Sequence, residues 1–193
     1  LYDAYSHAFK NLREHIDVLK DRGVEHVHVY MFSIYNLKRN IDEVIACLNA
    51  ECEFIQDLFL NEYRIIVDGD LEALRPIHPE IARVAMNICK HSTKNNPYPL
   101  LHLYLGYSFK QYLNNRKNAA VDLDTFVETL LHDRLELIIR TGGAITLSDF
   151  LPIESRYAQL YFLPKLFNDF TANNLSDLCD NHERKAISIK YGE

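Results

Sequence analysis

The stretch "PLLHLYLGYS", residues 99–108, carries leucine or an aromatic ring at nearly every position and is broken only by His102 and Gly106. Strict alternation would mark a strand with one wet face. A run this continuous marks a strand buried on both faces, as in a parallel sheet. "YRIIVDGD", residues 63–70, is a second such run and ends in a turn. "HVHVYMF", residues 26–32, is β-branched and aromatic and reads as a third strand. A fourth, short strand is expected over 135–139.

Helical patterns lie between these strands. Residues 3–22 place Phe9, Leu12, Ile16 and Leu19 at spacings of three and four, and Gly23 is a suitable stop. Asp42 to about Leu60 is a long amphipathic helix. Pro79 stands near the start of another, which runs to about His91. Further helices are expected over 122–133, 155–162 and 172–186. Strands alternating with helices predict an α/β fold: a central, mostly parallel sheet flanked by helices. In such folds ligands bind beyond the carboxyl ends of the strands. Here those ends are "FSIYN", "DGD", "LGYS" and "RTGG".

The chain of 193 residues suits one domain, and 48% hydrophobic residues can supply its core. No apolar run reaches the ~18 residues of a transmembrane segment. The net charge of −6, with both signs scattered, argues against nucleic acid as a partner, because a phosphate backbone needs a concentrated basic face. A small phosphorylated ligand needs only two or three placed cations. The four cysteines, Cys47, Cys52, Cys89 and Cys179, form no Cys-x-x-Cys pair. They read as reduced thiols, some of them buried, in a cytoplasmic protein. His26 and His28 face one side of their strand. With no third ligand in sight, a structural or surface role outweighs a metal pair.

Two strand ends carry chemistry. "FSIYNLKRN", residues 32–40, offers Ser33, Asn36, Lys38 and Arg39: a hydroxyl, an amide and two cations that suit a diphosphate. Helix capping followed by solvated basic residues explains them equally well. "RTGG" offers Arg140, the Thr141 hydroxyl and the backbone N–H groups of Gly142 and Gly143, with Ser148 further along the loop. The plain alternative is a glycine-rich turn with a surface arginine. Neither segment is a nucleotide P-loop or a dinucleotide fingerprint.

In this order, however, the segments resemble the cis-prenyltransferases, the family of undecaprenyl diphosphate synthase. "GVEHVHVYMFSIYNLKRNIDEV" is similar to that family's strand followed by Phe-Ser-x-Glu-Asn-Trp-x-Arg and a helix opening with Glu-Val. Gly69-Asp70 matches its next strand-end pair. "LIIRTGGAITLSDFLPIESRYAQLYFLPKLFNDF" is similar to its Ile-Arg-Thr-x-Gly-Glu-x-Arg-x-Ser-x-Phe-Leu run, which continues into Tyr-x-Glu-Leu-Tyr-Phe and Leu-Trp-Pro-Asp-Phe. The likeness extends from about Ala4 to Arg184. It implies that family's parallel sheet, an elongated apolar tunnel, a homodimer, prenyl diphosphate substrates and Mg²⁺. Carried over by position, Arg140, Thr141, Ser148, Gly142 and Gly143 would bind an acceptor diphosphate. Arg39 would bind the donor diphosphate, and Asn36 and Ser33 would serve catalysis. Tyr5 stands where many members have a histidine at the donor site, with His7 two residues on.

Several positions depart from the pattern. Tyr35 replaces a glutamate and Leu37 a tryptophan. Leu105-Gly106-Tyr107-Ser108 replaces Tyr-Gly-Gly-Arg. Ala144 and Thr146 replace a glutamate and an arginine, Gln159 a glutamate, and "HERKAI", residues 182–187, an arginine-rich signature. "RTGGAI" with the following Ser-x-Phe-x-Pro is similar to the lavandulyl and cyclolavandulyl diphosphate synthase branch, whose members couple two dimethylallyl diphosphates irregularly. Regular short-chain transfer to isopentenyl diphosphate, a degenerate subunit and a prenyl diphosphate cyclase are the alternatives. The family's first motif, Asp-Gly-Asn-Arg-Arg-Trp-Ala, holds its metal-binding aspartate. It would precede the first helix, so a single domain lacking that strand and metal ligand is expected over 1–193, with the aspartate upstream.

Overall fold

The computed structural model describes residues 1–91, 98–132 and 134–188. Its centre is β3 (Leu100–Tyr107), which pairs in parallel with β1 (His26–Ser33) on one side and β2 (Ile65–Asp68) on the other. Leu101, Leu103 and Leu105 of β3 are wholly buried. They pack with Ile65 and Val67 of β2 and with α1 (Tyr2–Asp21), α2 (Ile41–Leu60) and α4 (Pro79–His91). Burying each such side chain is worth about 1.5–3 kcal/mol. The opposite face holds Tyr104 and Tyr107 against Tyr112, Leu151 and Phe150. Tyr112 comes from α5 (Phe109–Ala119), which Ser108 caps by accepting from the Gln111 N–H. The continuous apolar run therefore has the two covered faces expected of it.

A second parallel pair stands apart. β4 (Leu137–Arg140) is hydrogen-bonded to β5 (Gln159–Phe162), with Arg140 in register with Phe162. α1 joins two clusters: Leu12 and Ile16 belong to the core of β1–β3–β2, while Val18 and Leu19 pack on Phe170, Leu175, Leu178 and Cys179, which Leu137 and Ile139 also meet. α3 (Leu71–Leu74), α6 (Leu123–His132) and α7 (Ala172–Ser188) complete the chain. Gly23, at φ 72°, ends α1: its N–H reaches the Lys20 carbonyl and Val24 that of Leu19.

One expected helix is corrected. Residues 155–162 are a single 3₁₀ turn, Glu154–Tyr157, followed by β5. Alternating Gln159, Leu160, Tyr161 and Phe162 gain a ladder with β4 that no isolated helix turn could match, a tertiary gain that overrides local pattern. α5 falls in a stretch for which the pattern gave no element. Cys47, Cys52 and Cys179 are buried thiols outside any disulfide, as read from the sequence. The Cys89 side chain and those of residues 183–187 lie outside the described residues. Among the described residues, no helix is long and apolar enough to cross a membrane.

Candidate active site

The end of β1 turns straight into a 3₁₀ segment, Ile34–Lys38, and Ser33 and Asn36 build that turn between them. The Ser33 N–H donates to Asn36 Oδ1 at 2.9 Å, and the Tyr35 N–H donates to Ser33 Oγ at 3.2 Å. This is a reciprocal capping box, so the capping role is realised. It engages Asn36 Oδ1 rather than the amide nitrogen. Tyr35 is exposed, with the Lys38 ammonium 5.7 Å from its ring centroid.

Arg39 follows, and its guanidinium donates to Glu43 Oε1 at 2.8 Å, one turn into α2. Tyr5 of α1 donates to the same carboxylate oxygen at 3.2 Å. Two residues singled out far apart in sequence are thus gathered by a third, Glu43, which sequence reasoning did not single out. Its i+4 spacing from Arg39 was the available signal. Burial raises the Tyr5 phenol above its ordinary range, with Cys47 and Glu43 adding to the rise. His7 is exposed on α1.

At the end of β4, Arg140 Nη1 donates to the Thr146 carbonyl at 2.6 Å and to Ser148 Oγ at 2.9 Å. The loop therefore folds back so that Ser148 stands beside Arg140. Thr146 Oγ1 lies 3.3 Å from Ser148 Oγ. The two glycines behave differently from the sequence reading. Their N–H groups were expected to face a phosphate, but Gly142 donates to the Lys165 carbonyl at 2.8 Å and Gly143 to that of Leu163 at 2.9 Å. The chain leaving β5 runs alongside and takes both donors. What the glycines supply is room and a left-handed backbone, at φ 86° and 77°.

Tyr30 ties the two groups together. Its ring stacks on Phe150 of the loop at 4.7 Å, and its hydroxyl interacts with Ser33. Burial raises its phenol, Ser33 and Arg140 oppose the rise, and Asp149 adds to it. One aromatic side chain therefore touches the β1 end and senses charges of the β4 loop. Tyr107 pairs with Ser33 in register across β1 and β3, and its hydroxyl reaches the same loop. Neither tyrosine was singled out from the sequence; aromatic residues on a buried strand read as core.

At the remaining strand end, Gly69 and Gly106 let β2 and β3 converge. A Cβ on Gly69 would lie 1.7 Å from the Leu105 carbonyl oxygen, and one on Gly106 2.8 Å from that of Asp70. Asp70 caps α3 by accepting from the Ala73 N–H. Gln159 sits in β5, where its Oε1 accepts from Tyr161 and its Nε2 is buried without a partner.

The histidines gain a third member that the sequence did not reveal. His102 of β3 lies in register with His28, and their rings stack at 4.2 Å, while His26 Nδ1 approaches His102 Nε2 at 3.1 Å. The rings lie side by side instead of converging. Among the described residues, no three His, Cys, Asp or Glu side chains form a cluster that could hold a metal ion.

A parallel α/β frame with polar clusters at its strand ends is the architecture of a ligand-binding α/β fold, and sequence comparison supplies the family. Residues 2–189 match the prenyltransferase family described as undecaprenyl diphosphate synthase, and the chain belongs to that family. An isoprenyl transferase of Streptococcus agalactiae is 33% identical over 177 residues, covering 79% of this chain and 69% of that one. One from Treponema denticola is 29% identical, with 90% and 80% covered. Two solved structures share the fold. A probable undecaprenyl diphosphate synthase from Campylobacter jejuni superposes with a TM-score of 0.73 at 21% identity, covering 92% of this chain and 89% of that one. Lavandulyl diphosphate synthase from Lavandula x intermedia, in complex with dimethylallyl diphosphate, superposes with a TM-score of 0.75 at 20% identity, covering 94% and 85%.

Proposed function

We propose that this prenyltransferase couples two short prenyl diphosphates irregularly, joining dimethylallyl diphosphate to a second dimethylallyl diphosphate in a lavandulyl-type product. The observation that carries the reading is the loop Ala144–Ser148. It pairs Arg140 with Ser148 and Thr146 in place of the glutamate and arginine of the regular pattern. The likeness in fold to a lavandulyl diphosphate synthase supports it.

In this reading Arg39, with Tyr5 and Glu43 behind it, holds the donor diphosphate. Asn36 and Ser33 address it from the capping turn. Arg140, Thr141 and Ser148 hold the acceptor diphosphate, with Gly142 and Gly143 giving it space. The allylic C–O bond breaks and diphosphate leaves with the bonding pair, stabilised by the guanidinium and hydroxyl donors. The acceptor alkene attacks the cation, and the released diphosphate takes the proton then lost. Tyr30 and Phe150, stacked at 4.7 Å between the β1 end and the loop, exclude water from the cation.

Mg²⁺ belongs to the proposal as the family's cofactor, supplying charge neutralisation to the diphosphates. The described residues form no metal cage of their own, so they do not by themselves fit a resident ion and no step is routed through it. A metal-binding aspartate upstream, with the strand that carries it, remains part of the proposal, within one domain over residues 1–193. A homodimer is also proposed, supported by the apolar stripe Leu123, Val127 and Leu131, exposed at one-turn intervals on α6. A cytoplasmic location completes the reading.

Regular addition of isopentenyl diphosphate is the second reading, favoured by the relatives named isoprenyl transferase. The deciding experiment incubates the protein carrying its natural N-terminus, in Mg²⁺, with dimethylallyl diphosphate alone and then with isopentenyl diphosphate added. A branched C10 alcohol after dephosphorylation, from the first mixture, establishes irregular coupling. Linear products from the second mixture alone establish chain elongation and overturn it.

A further inference from the structure

Three of the four non-glycine residues with positive φ among the described residues fall in one short segment: Ser148 at 50°, Asp149 at 61° and Leu151 at 43°. Side chains rarely adopt this conformation, and Leu151 is a bulky one. Such strain persists only where the surroundings over-determine it, and it collects at functional sites. The surroundings here centre on a single hydroxyl. Tyr107 Oη donates to the Asp149 carbonyl at 3.0 Å and accepts from the Leu151 N–H at 3.2 Å, bridging the backbone on both sides of Phe150.

The hydroxyl itself is fixed. The Tyr107 side chain is 1% exposed. Its ring meets Tyr104 edge-on at 5.4 Å, Tyr30 edge-on at 5.4 Å and Phe150 at 5.7 Å. The strand beneath it is the middle one of its sheet. The far end of the segment is tied separately: the Ser155 N–H donates to the Leu151 carbonyl at 3.0 Å, and Tyr112 donates to the buried Glu154 carboxylate. Between these ties the chain has little freedom to relax, and Ser148 is delivered to Arg140. Burial and the neighbouring Glu154 and Tyr30 raise the Tyr107 phenol, although the Leu151 N–H opposes this, so the group stays protonated and able to donate.

We propose that Tyr107 is a positioning residue whose hydroxyl latches residues 148–151 in the strained form that sets Ser148 against Arg140, completing an anion-binding loop. The inference rests on the reading of this loop as a diphosphate site, and it adds the group that shapes it. Tyr107 acts through Ser148 and touches no substrate itself.

The test is Tyr107→Phe, which keeps the ring and the packing and deletes the two hydrogen bonds. Amide exchange across residues 147–151 reports the latch without any ligand. Calorimetric titration with inorganic pyrophosphate, on the wild type and both the Tyr107→Phe and Arg140→Ala variants, reports the anion site. The expected result is at least about a tenfold loss of protection at the Leu151 amide and about a tenfold weaker pyrophosphate affinity, the size of one lost hydrogen bond. The acceptor KM rises while kcat and the donor KM hold. A merely structural role would lower Tm and leave loop exchange and the acceptor KM unchanged, and that result overturns the proposal. Faster exchange with no pyrophosphate binding by any of the three proteins keeps the latch and removes the anion role of the loop, a failure of the functional reading alone.

Discussion

Arg140 and Ser148, eight residues apart in the chain, are joined by a 2.9 Å hydrogen bond from the guanidinium to the hydroxyl. The same guanidinium nitrogen also holds the Thr146 carbonyl. The loop is therefore shaped around the guanidinium at the end of β4, and an incoming anion would meet an arginine already oriented. Arg140→Ala is expected to cut kcat/KM for the acceptor roughly ten- to hundredfold, about 1.5–3 kcal/mol for a charge-assisted contact. Circular dichroism should show the fold intact. Wild-type steady-state kinetics would place the acceptor site elsewhere.

The acceptor preference should follow the loop's side chains. Ile145 is 78% exposed, so the neighbouring positions have room for longer residues. The double substitution Ala144→Glu with Thr146→Arg restores the regular family pattern and is expected to shift turnover towards isopentenyl diphosphate. Competition between the two acceptors, read by mass spectrometry of the products, measures the shift. An unchanged product ratio would show that the loop does not set the preference.

Glu51 gives a pH dependence with a defined sign. It is wholly buried on α2; Cys47 donates to its Oε1 at 3.6 Å, and its Oε2 has no partner. Burial raises the carboxyl from 4.5 to about 8, against the smaller pull of the Cys47 thiol. The folded chain then keeps a proton that the unfolded chain has lost, so stability falls as pH rises from about 4.5 to about 8 and levels off above. The slope from this group is at most ~1.4 kcal/mol per pH unit. Glu51→Gln should flatten it. Denaturant unfolding of both proteins at pH 5.5 and pH 8 measures the difference, and equal slopes would refute a buried neutral acid.

Two glycines should respond to alanine by very different amounts. Gly69, at φ 131°, has the Leu105 carbonyl oxygen where a Cβ would go. Gly69→Ala must part the ends of β2 and β3 and is expected to cost more than ~3 kcal/mol. Gly142, at φ 86°, has no atom within 4 Å of a Cβ. Gly142→Ala should cost only ~1 kcal/mol, the backbone preference alone. Thermal unfolding compares the two, and similar Tm losses would contradict the close strand approach.

Much of this molecule is legible in its sequence because the signals are local. The apolar run at 99–108 gave a doubly covered strand, and three-and-four spacing gave α1, which begins and ends within a residue of the expected bounds. The error at 155–162 has a different origin. A four-residue strand has no amphipathic signature of its own, and Gln159–Phe162 became β5 because β4 offered a ladder. The candidate site was legible in its polar residues alone. Arg39, Arg140 and Ser148 could be named, since cations and hydroxyls at strand ends are a chemical signal. Glu43 left only its i+4 spacing from Arg39 as a signal, and Tyr30 and Tyr107 left none, because their part depends on which residue lies opposite them.

By itself, then, the sequence determined the α/β class, the order of most elements, the strand ends where polar residues collect and the family resemblance. These rest on periodicity, turn chemistry and residue type, which are properties of neighbours along the chain. Tertiary structure alone decided that Tyr5 reaches Glu43, that Lys165 and Leu163 take the glycine N–H groups, and that Tyr107 grips a strained loop. Each of these is a hydrogen bond whose partners become neighbours only on folding. The energy that fixes them comes from burying the sheet, and no local window of the chain contains it.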